Sequence, residues 1–215
     1  MTWLPQNLSW LAELVATHLA LALPAIVLSL LVSIPLARFA LARPTFGHPL
    51  LAGLALLYAI PSLPLLIIVP VVLGTGLRSP LNMVLVLSLY GVAILVGSCA
   101  RAFEAVPHSV AESARAMGMG SLRRFFSVEL PLAIPIIMSG LRVVAASTIS
   151  LVTVGAVVGV QSLGTLFTDG FQRGIIEEVL TGVVATVALA FLIDLAIVGI
   201  TRLATPWRKY QGAGA

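Results

Sequence analysis

The residues of this chain best suited to contact a protein partner lie in one short charged segment. Glu112 and Arg115 stand three residues apart, so a helix would place both on one polar face. The opposite face is apolar, and Gly118 should end the helix with a positive φ. Such a surface helix can dock in a groove of a soluble protein, whereas a solvated linker is the alternative. The predicted contact residues are Glu112, Ser113, Ala114, Arg115, Met117 and Gly118.

Patterns typical of catalysis, metal binding or nucleotide binding are missing from the sequence. His18, His48 and His108 are far apart and lie in no recognised motif. There is no GxxxxGK[ST] loop, and the single lysine is Lys209 near the end of the chain. The single cysteine, Cys99, excludes an internal disulfide and is expected to be a small buried side chain. We therefore expect no catalytic residues, no metal and no cofactor in this chain.

Polar and aromatic side chains within the long apolar runs are the candidates for a transport pathway. Pro61 and Pro64 should break the second run, where freed backbone carbonyls need a cavity or a neighbouring helix. Tyrosine faces could offer weak cation–π contacts, although packing or interface roles are the alternative. Ser147 is interpreted, like Ser150, as a helix-packing hydroxyl. The predicted pathway residues are Tyr58, Pro61, Ser62, Asn82, Tyr90 and Ser98.

The composition requires a lipid bilayer. Of the 215 residues, 60% are hydrophobic and only 9% are charged, against about 25% charged in a typical globular domain. Uncharged runs of about 20 residues predict membrane-spanning helices. The chain should therefore be a single all-α membrane domain. Five spans are predicted, at 14–37, 50–73, 81–100, 132–158 and 179–201, and residues 107–130 should form a cytoplasmic loop. In that loop, Ser121 is expected to cap a second short helix that ends at Pro131.

Two charges fall inside the predicted spans. Arg142 and Asp194 would each cost about 2.5–3.5 kcal/mol at the centre of a bilayer, so each needs a partner or access to water. Their similar depth permits an ion pair, and we interpret them as structural charges rather than cargo contacts. Gly155 and Gly159 form a GxxxG pattern, which indicates close helix packing and a possible dimer seam.

The distribution of the twelve basic residues predicts the orientation. With the N-terminus outside, only Arg78 and Arg173 remain external, and Arg142 lies within a span. Asp169, Glu177 and Glu178 would also face outward. The positive charge thus reflects topology and anionic lipid and gives no reason to expect nucleic-acid binding. The predicted cytoplasmic residues are Arg38, Arg43, Arg101, Arg115, Arg123, Arg124, Arg202, Arg208 and Lys209.

Two sequence patterns resemble a known family. The spacing from Glu112-Ser113-Ala114 through Gly118 to Leu130-Pro131 resembles the EAA loop of ABC importer permeases. The stretch 59–66 is similar to the IPSLALL stretch of glycine betaine, choline and carnitine importer permeases, and 116–119 to their GMGM. Ser162-Leu163-Gly164 is similar to the end of their GAGGLG turn. Two departures, at 160–161 and at 91–95, leave the identity of the solute open.

The resemblance implies a methionine-permease-like fold of the type I ABC importers. It also implies a second permease subunit, identical or related, two cytoplasmic ATPases that bind ATP and Mg²⁺, an external substrate-binding protein, and a place in the plasma or inner membrane. The cargo would be glycine betaine, choline, carnitine or a related quaternary amine. Alternatives are a methionine importer permease and, from another class, an ion-driven secondary carrier, which usually shows internal repeats and several ionisable groups at midplane.

Overall fold

The computed structural model describes residues 3–207, which fold into helices and connecting turns. Arg208 and Lys209, which are predicted to be cytoplasmic, lie outside the described residues. The helices are α1 (Trp3–Gln6), α2 (Leu8–Ala42), α3 (Pro44–Tyr58), α4 (Ser62–Leu73), α5 (Pro80–Glu104), α6 (His108–Ala116), α7 (Ser121–Arg124), α8 (Leu130–Val154), α9 (Gly164–Arg173) and α10 (Ile176–Ala204).

The core is built where α5 packs between α2 and α8. In α5, Leu95 and Cys99 have no exposed surface, which confirms the buried position expected for the cysteine. Small residues allow close approach: a Cβ on Gly91 of α5 would lie 2.0 Å from Oγ of Ser29 in α2. By contrast, α10 leaves most of its apolar side chains exposed, as a helix facing lipid does.

Four uninterrupted helical segments are long and apolar enough to cross a membrane, and α3 with α4 can form a fifth crossing as a bent pair. The direction of the chain changes by 111° between these two helices. Pro61 immediately precedes α4, where its fixed φ and missing N–H prevent the helix from continuing. The expectation that Pro64 also breaks the span is wrong, because Pro64 lies in the first turn of α4, a position that tolerates proline.

The helix that contains the predicted fourth span starts well before it. Helix α7, a π-helical turn (Phe125–Glu129), α8 and a 3₁₀ turn form one continuous helical segment from Ser121 to Val158. The predicted cap at Ser121 is wrong, since Gly120 holds the N-cap position and Ser121 is already helical. Pro135 lies within α8 without ending it.

The predicted GxxxG face does not exist as a helix surface. Helix α8 ends at Val154, a 3₁₀ turn covers Gly155–Val158, and Gly159 has a left-handed φ of 86°. Both glycines nevertheless allow close packing. A Cβ on Gly155 would lie 2.6 Å from the methyl carbon of Met83, and one on Gly159 would lie 2.7 Å from Nε of Arg78.

A helix that the sequence did not indicate, α9, follows this turn. Its start is fixed by Ser162, whose hydroxyl accepts a hydrogen bond from N–H of Gly164 and donates one to the carbonyl of Val152. Leu163 and Leu166 are fully buried against α2 and α10. The sequence gives little indication of α9, because this helix is short and amphipathic and lies between the long apolar runs of α8 and α10.

The two ends of the bundle differ in the number of arginines that they carry. One end, called the coupling end here, carries α6 and α7 together with the C-termini of α2, α5 and α10. The opposite end carries α9 and the N-termini of α2, α5 and α10. Among residues 3–207, Arg78 and Arg173 lie at the opposite end. The coupling end has Arg38, Arg43, Arg101, Arg115, Arg123, Arg124 and Arg202.

Candidate transport pathway and coupling surface

Helix α6 presents apolar side chains to the outside at the coupling end. Ala114 is buried against the bundle, whereas Met117 is 70% exposed and Val110 is 38% exposed. Leu122, on the neighbouring α7, is 74% exposed. Glu112 and Arg115 make no ion pair with each other within the described part of the chain. This surface therefore combines unpaired charges with exposed apolar groups, as a protein-docking surface does.

Gly118 ends this surface helix in the left-handed region, with φ of 78°, which confirms the predicted positive φ. Its N–H donates to the carbonyl of Arg115, and the next N–H, of Met119, donates to Ala114. No atom lies within 4 Å of a Cβ built on Gly118. The glycine is therefore needed for its backbone conformation, and not because a side chain at this position would collide with the rest of the chain.

An ion cluster joins the coupling segment to the first crossing. Nε of Arg124 donates to Oε1 of Glu129 at 2.7 Å, and Arg38 at the end of α2 lies 3.2 Å from Oε2. The guanidinium of Arg38 also lies 5.8 Å from the ring centroid of Phe125. Arg124 and Glu129 are each only 8% exposed. Sequence reasoning missed the cluster; the only signal was an acidic residue directly before Leu130-Pro131 where the chain enters the membrane.

The break between α3 and α4 borders an open cleft of about 540 Å³, which is called the chamber below. The rings of Tyr58 and Tyr90 meet edge to face, 6.2 Å apart, and the hydroxyl of Tyr90 donates to the free carbonyl of Ile60 at the break. The side chain of Tyr58 is largely exposed. The lining consists of Tyr58, Ala59, Ile60, Pro61, Ser62, Tyr90, Ala146, Ser147, Ser150 and Leu151.

The chamber is aromatic and hydroxylated, and no charged side chain lines it. Aromatic faces attract cations without a counter-ion, and hydroxyls can hydrogen-bond a carboxylate. Such weak contacts would allow a small cation or zwitterion to enter and leave. Chemically, the chamber resembles a passage more than a tight binding site.

The structure brings together four of the six predicted pathway residues and separates the other two. Tyr58, Pro61, Ser62 and Tyr90 line the chamber. Asn82 is buried away from it and donates to the carbonyl of Leu66 at 3.4 Å, while Ser98 accepts a hydrogen bond from Arg101 at 3.0 Å. Conversely, Ser147 and Ser150, interpreted from the sequence as packing hydroxyls, line the chamber, because the bend in α3–α4 exposes that face of α8.

Arg142 and Asp194 pair, as their similar depth permits. Nε and Nη2 of Arg142 donate to the two carboxylate oxygens of Asp194 at 2.5 and 2.8 Å, joining α8 to α10. The Arg142 member of the pair lines a second cavity, of about 660 Å³. At the opposite end, Arg173 pairs with Asp169 at 2.8 Å, and that hydrogen bond, with the charge of the carboxylate, raises the pKa of Arg173 above its usual value.

Known proteins with similar sequences are membrane transport components. Residues 42–210 match the family described as binding-protein-dependent transport system inner membrane component. The glycine betaine/carnitine/choline transport system permease protein OpuCB of Bacillus subtilis is 30% identical over 96% of this chain and 94% of its own length. The osmoprotectant import permease protein OsmW of Salmonella typhimurium is 28% identical over 93% of this chain and 94% of its own.

The fold also matches a solved structure. A chain of the MetNI methionine ABC transporter superposes with a TM-score of 0.80 at 22% identity, covering 93% of this chain and 98% of that one. This likeness confirms the predicted all-α permease fold of type I ABC importers. The family match covers most of the chain and agrees with the resemblance of the coupling segment. The chain therefore belongs to the family of inner membrane components of binding-protein-dependent transport systems.

Proposed function

We propose that this permease moves quaternary-ammonium solutes such as glycine betaine, choline and carnitine into the cytoplasm. The observation that carries the proposal is the chamber at the α3–α4 break, where two tyrosine rings and three serine hydroxyls border a space without a charged lining. A quaternary ammonium group cannot donate hydrogen bonds, so aromatic faces are its natural contacts. The relatives named for betaine, carnitine and choline support the same cargo class.

The remaining machinery follows from the family. Two copies of this chain, or this chain with a related permease, would enclose one pathway, and an external binding protein would deliver the cargo. Two ATPase subunits, which would bind ATP and Mg²⁺, would dock on the surface of α6 around Glu112 and Gly118. This arrangement places the coupling end in the cytoplasm, which agrees with the seven arginines found there and the two at the opposite end.

Motion at the docked ATPases would reach the pathway through rigid elements. Helix α6 connects through Gly118 to α7, and the cluster of Arg124, Glu129 and Arg38 ties this segment to α2. Helix α8 begins directly after Glu129 and carries Ser147 and Ser150 at the chamber. Displacement of α6 would thus tilt α8 and change the opening of the chamber.

Reconstituted transport tests this function. The complex is assembled in proteoliposomes from this permease and the ATPase and binding-protein subunits that co-purify with it. ATP-dependent uptake of labelled glycine betaine, choline and carnitine is then compared with uptake of methionine. We expect uptake of at least one quaternary amine and none of methionine. Uptake of methionine alone would favour the methionine-permease alternative, and uptake driven by an ion gradient without ATP would favour the secondary carrier.

A further inference from the structure

The ion pair of Arg142 and Asp194 is open to its surroundings. The side chain of Arg142 is 47% exposed and that of Asp194 is 32% exposed, although both lie within helices that cross the membrane. A charge facing hydrocarbon is unfavourable, and charges in spans almost always face a bundle interior or a water-filled cavity. The pair is therefore expected to face water or the second permease subunit rather than lipid, although Phe191 and Leu195 beside Asp194 on α10 are exposed apolar side chains.

One face of α8 connects this pair to the aromatic chamber. Ser139, Arg142, Ala146 and Ser150 follow each other at intervals of three or four residues, and all four are exposed. Ala146 and Ser150 line the chamber, while Ser139 and Arg142 line the cavity of about 660 Å³. With a rise of 1.5 Å per residue, Arg142 and Ser150 are about 12 Å apart along the helix. The two cavities are thus successive spaces on one helix face, with the ion pair nearer the coupling end.

We propose that Arg142 and Asp194 form a second cargo station, specific for zwitterions that carry both a carboxylate and a quaternary ammonium group. This inference rests on the proposed function and adds a class of cargo to it. At the station, the carboxylate of the cargo replaces Asp194 on the guanidinium of Arg142, and the ammonium group takes Asp194 as its counter-ion. The cavity is larger than such a solute requires, and the hydroxyls of Ser139 and Thr201 border it.

Exchange of partners would make binding of the cargo both weak and selective. A zwitterion that opens the pair replaces one charge-assisted contact by another on each side, so little net energy is gained and the cargo can leave. A cation without a carboxylate, such as choline, would occupy Asp194 but leave Arg142 without a carboxylate partner, so one charge-assisted contact of the pair would not be replaced. The station should therefore favour glycine betaine over choline.

The test compares two cargoes in the whole reconstituted complex. Arg142→Gln should lower uptake of glycine betaine relative to choline by roughly tenfold, because one charge-assisted hydrogen bond to the carboxylate is lost. The matched control is Arg173→Gln, which breaks a similarly exposed ion pair at the opposite end and should leave the ratio unchanged. An equal fall in uptake of both cargoes, or no change in the ratio, would show that the pair is structural and would overturn the proposal.

A second measurement does not depend on breaking the pair. Ser139→Cys, in a Cys99→Ala background, should react with a water-soluble maleimide, and saturating glycine betaine should slow that reaction. Reaction only with an apolar reagent, or a rate unaffected by betaine, would overturn the proposal. Failure of the proposed function would be distinct, because the unmodified complex would then take up neither betaine nor choline.

Discussion

Glu129 lies between two arginines that come from different parts of the chain. Its Oε1 accepts from Arg124 at 2.7 Å, five residues earlier, and its Oε2 lies 3.2 Å from Arg38, at the end of α2. The carboxylate sits in the only π-helical turn of the described residues, where the coupling segment becomes α8. The Glu129 carboxylate therefore ties α7, the π-helical turn and α2 together at the coupling end.

Glu129→Gln should uncouple ATP hydrolysis from transport. Removing one partner of a buried ion pair typically costs about 3–5 kcal/mol, because the other charge stays buried without compensation; here that charge is Arg124, whereas Arg38 is partly exposed. We expect the ATPase to remain bound, since α6 is untouched, while the number of cargo molecules moved per ATP falls several-fold. The measurement is the ratio of uptake to phosphate release in proteoliposomes. Glu104→Gln, an exposed acid at the same end, is the control; a ratio unchanged in Glu129→Gln would contradict the coupling role.

Gly118→Val should weaken attachment of the ATPase. The residue has φ of 78°, a conformation that costs an ordinary L-residue roughly 1–2 kcal/mol and a β-branched one more. No neighbouring atom obstructs a side chain, so the effect comes from the backbone and from the docking surface. Co-purification of the ATPase in detergent measures the attachment, and we expect a clear loss.

Two companion variants make that result specific. Gly118→Asn should retain more of the ATPase, because asparagine tolerates the left-handed region better than valine does. Gly120→Ala should behave as wild type, since Gly120 has φ of −63° and open space around it. If the Gly118→Val complex keeps normal stoichiometry and ATP turnover, α6 does not hold the ATPase in the way proposed.

The sequence predicted the parts of the fold that depend on local composition. The long apolar helices, the buried Cys99 and the left-handed Gly118 all follow from hydropathy, cysteine usage and glycine conformation. The π-helical turn at Phe125–Glu129 joins a charged helix to an apolar one, and no local signal distinguishes that continuity from a loop.

The parts that could not be predicted depend on contacts between distant residues. Pro61 and Pro64 are equivalent by composition, yet only Pro61 breaks the span, because Pro64 falls in a first turn. Ser150 joins the chamber and Asn82 does not, since the bend in α3–α4 decides which faces of α5 and α8 are covered. The partners of Glu129 lie five and 91 residues away in the sequence, at Arg124 and Arg38.

The orientation of the chain is tested by cysteine labelling. In a Cys99→Ala background, single cysteines at Arg43 and Arg173 should react with a membrane-impermeant thiol reagent from opposite sides. The reason is that the two arginines lie at opposite ends of the bundle, with the larger number of arginines at the end of Arg43. In intact cells we expect labelling at position 173 only. Equal labelling of both positions from outside would contradict this topology, in which an odd number of membrane crossings separates position 43 from position 173.

The ring of Tyr58 is exposed where it lines the chamber. Tyr58→Ala should reduce the rate of glycine betaine transport by about two- to tenfold, because a cation–π contact contributes about 0.5–1 kcal/mol at exposed sites and more when desolvated. The affinity of the isolated binding protein for betaine should not change, as that protein is unaltered. Initial uptake rates in proteoliposomes, with saturating binding protein, measure the effect.

Conservative variants separate the ring from the hydroxyl. Tyr58→Phe keeps the aromatic face and should transport at nearly the wild-type rate, because the ring supplies the cation contact. Tyr90→Phe should be slower, since its hydroxyl holds the carbonyl of Ile60 at the α3–α4 break and its loss leaves that carbonyl without this donor. If Tyr58→Ala transports betaine as fast as Tyr58→Phe does, the exposed ring of Tyr58 has no part in passage of the cargo.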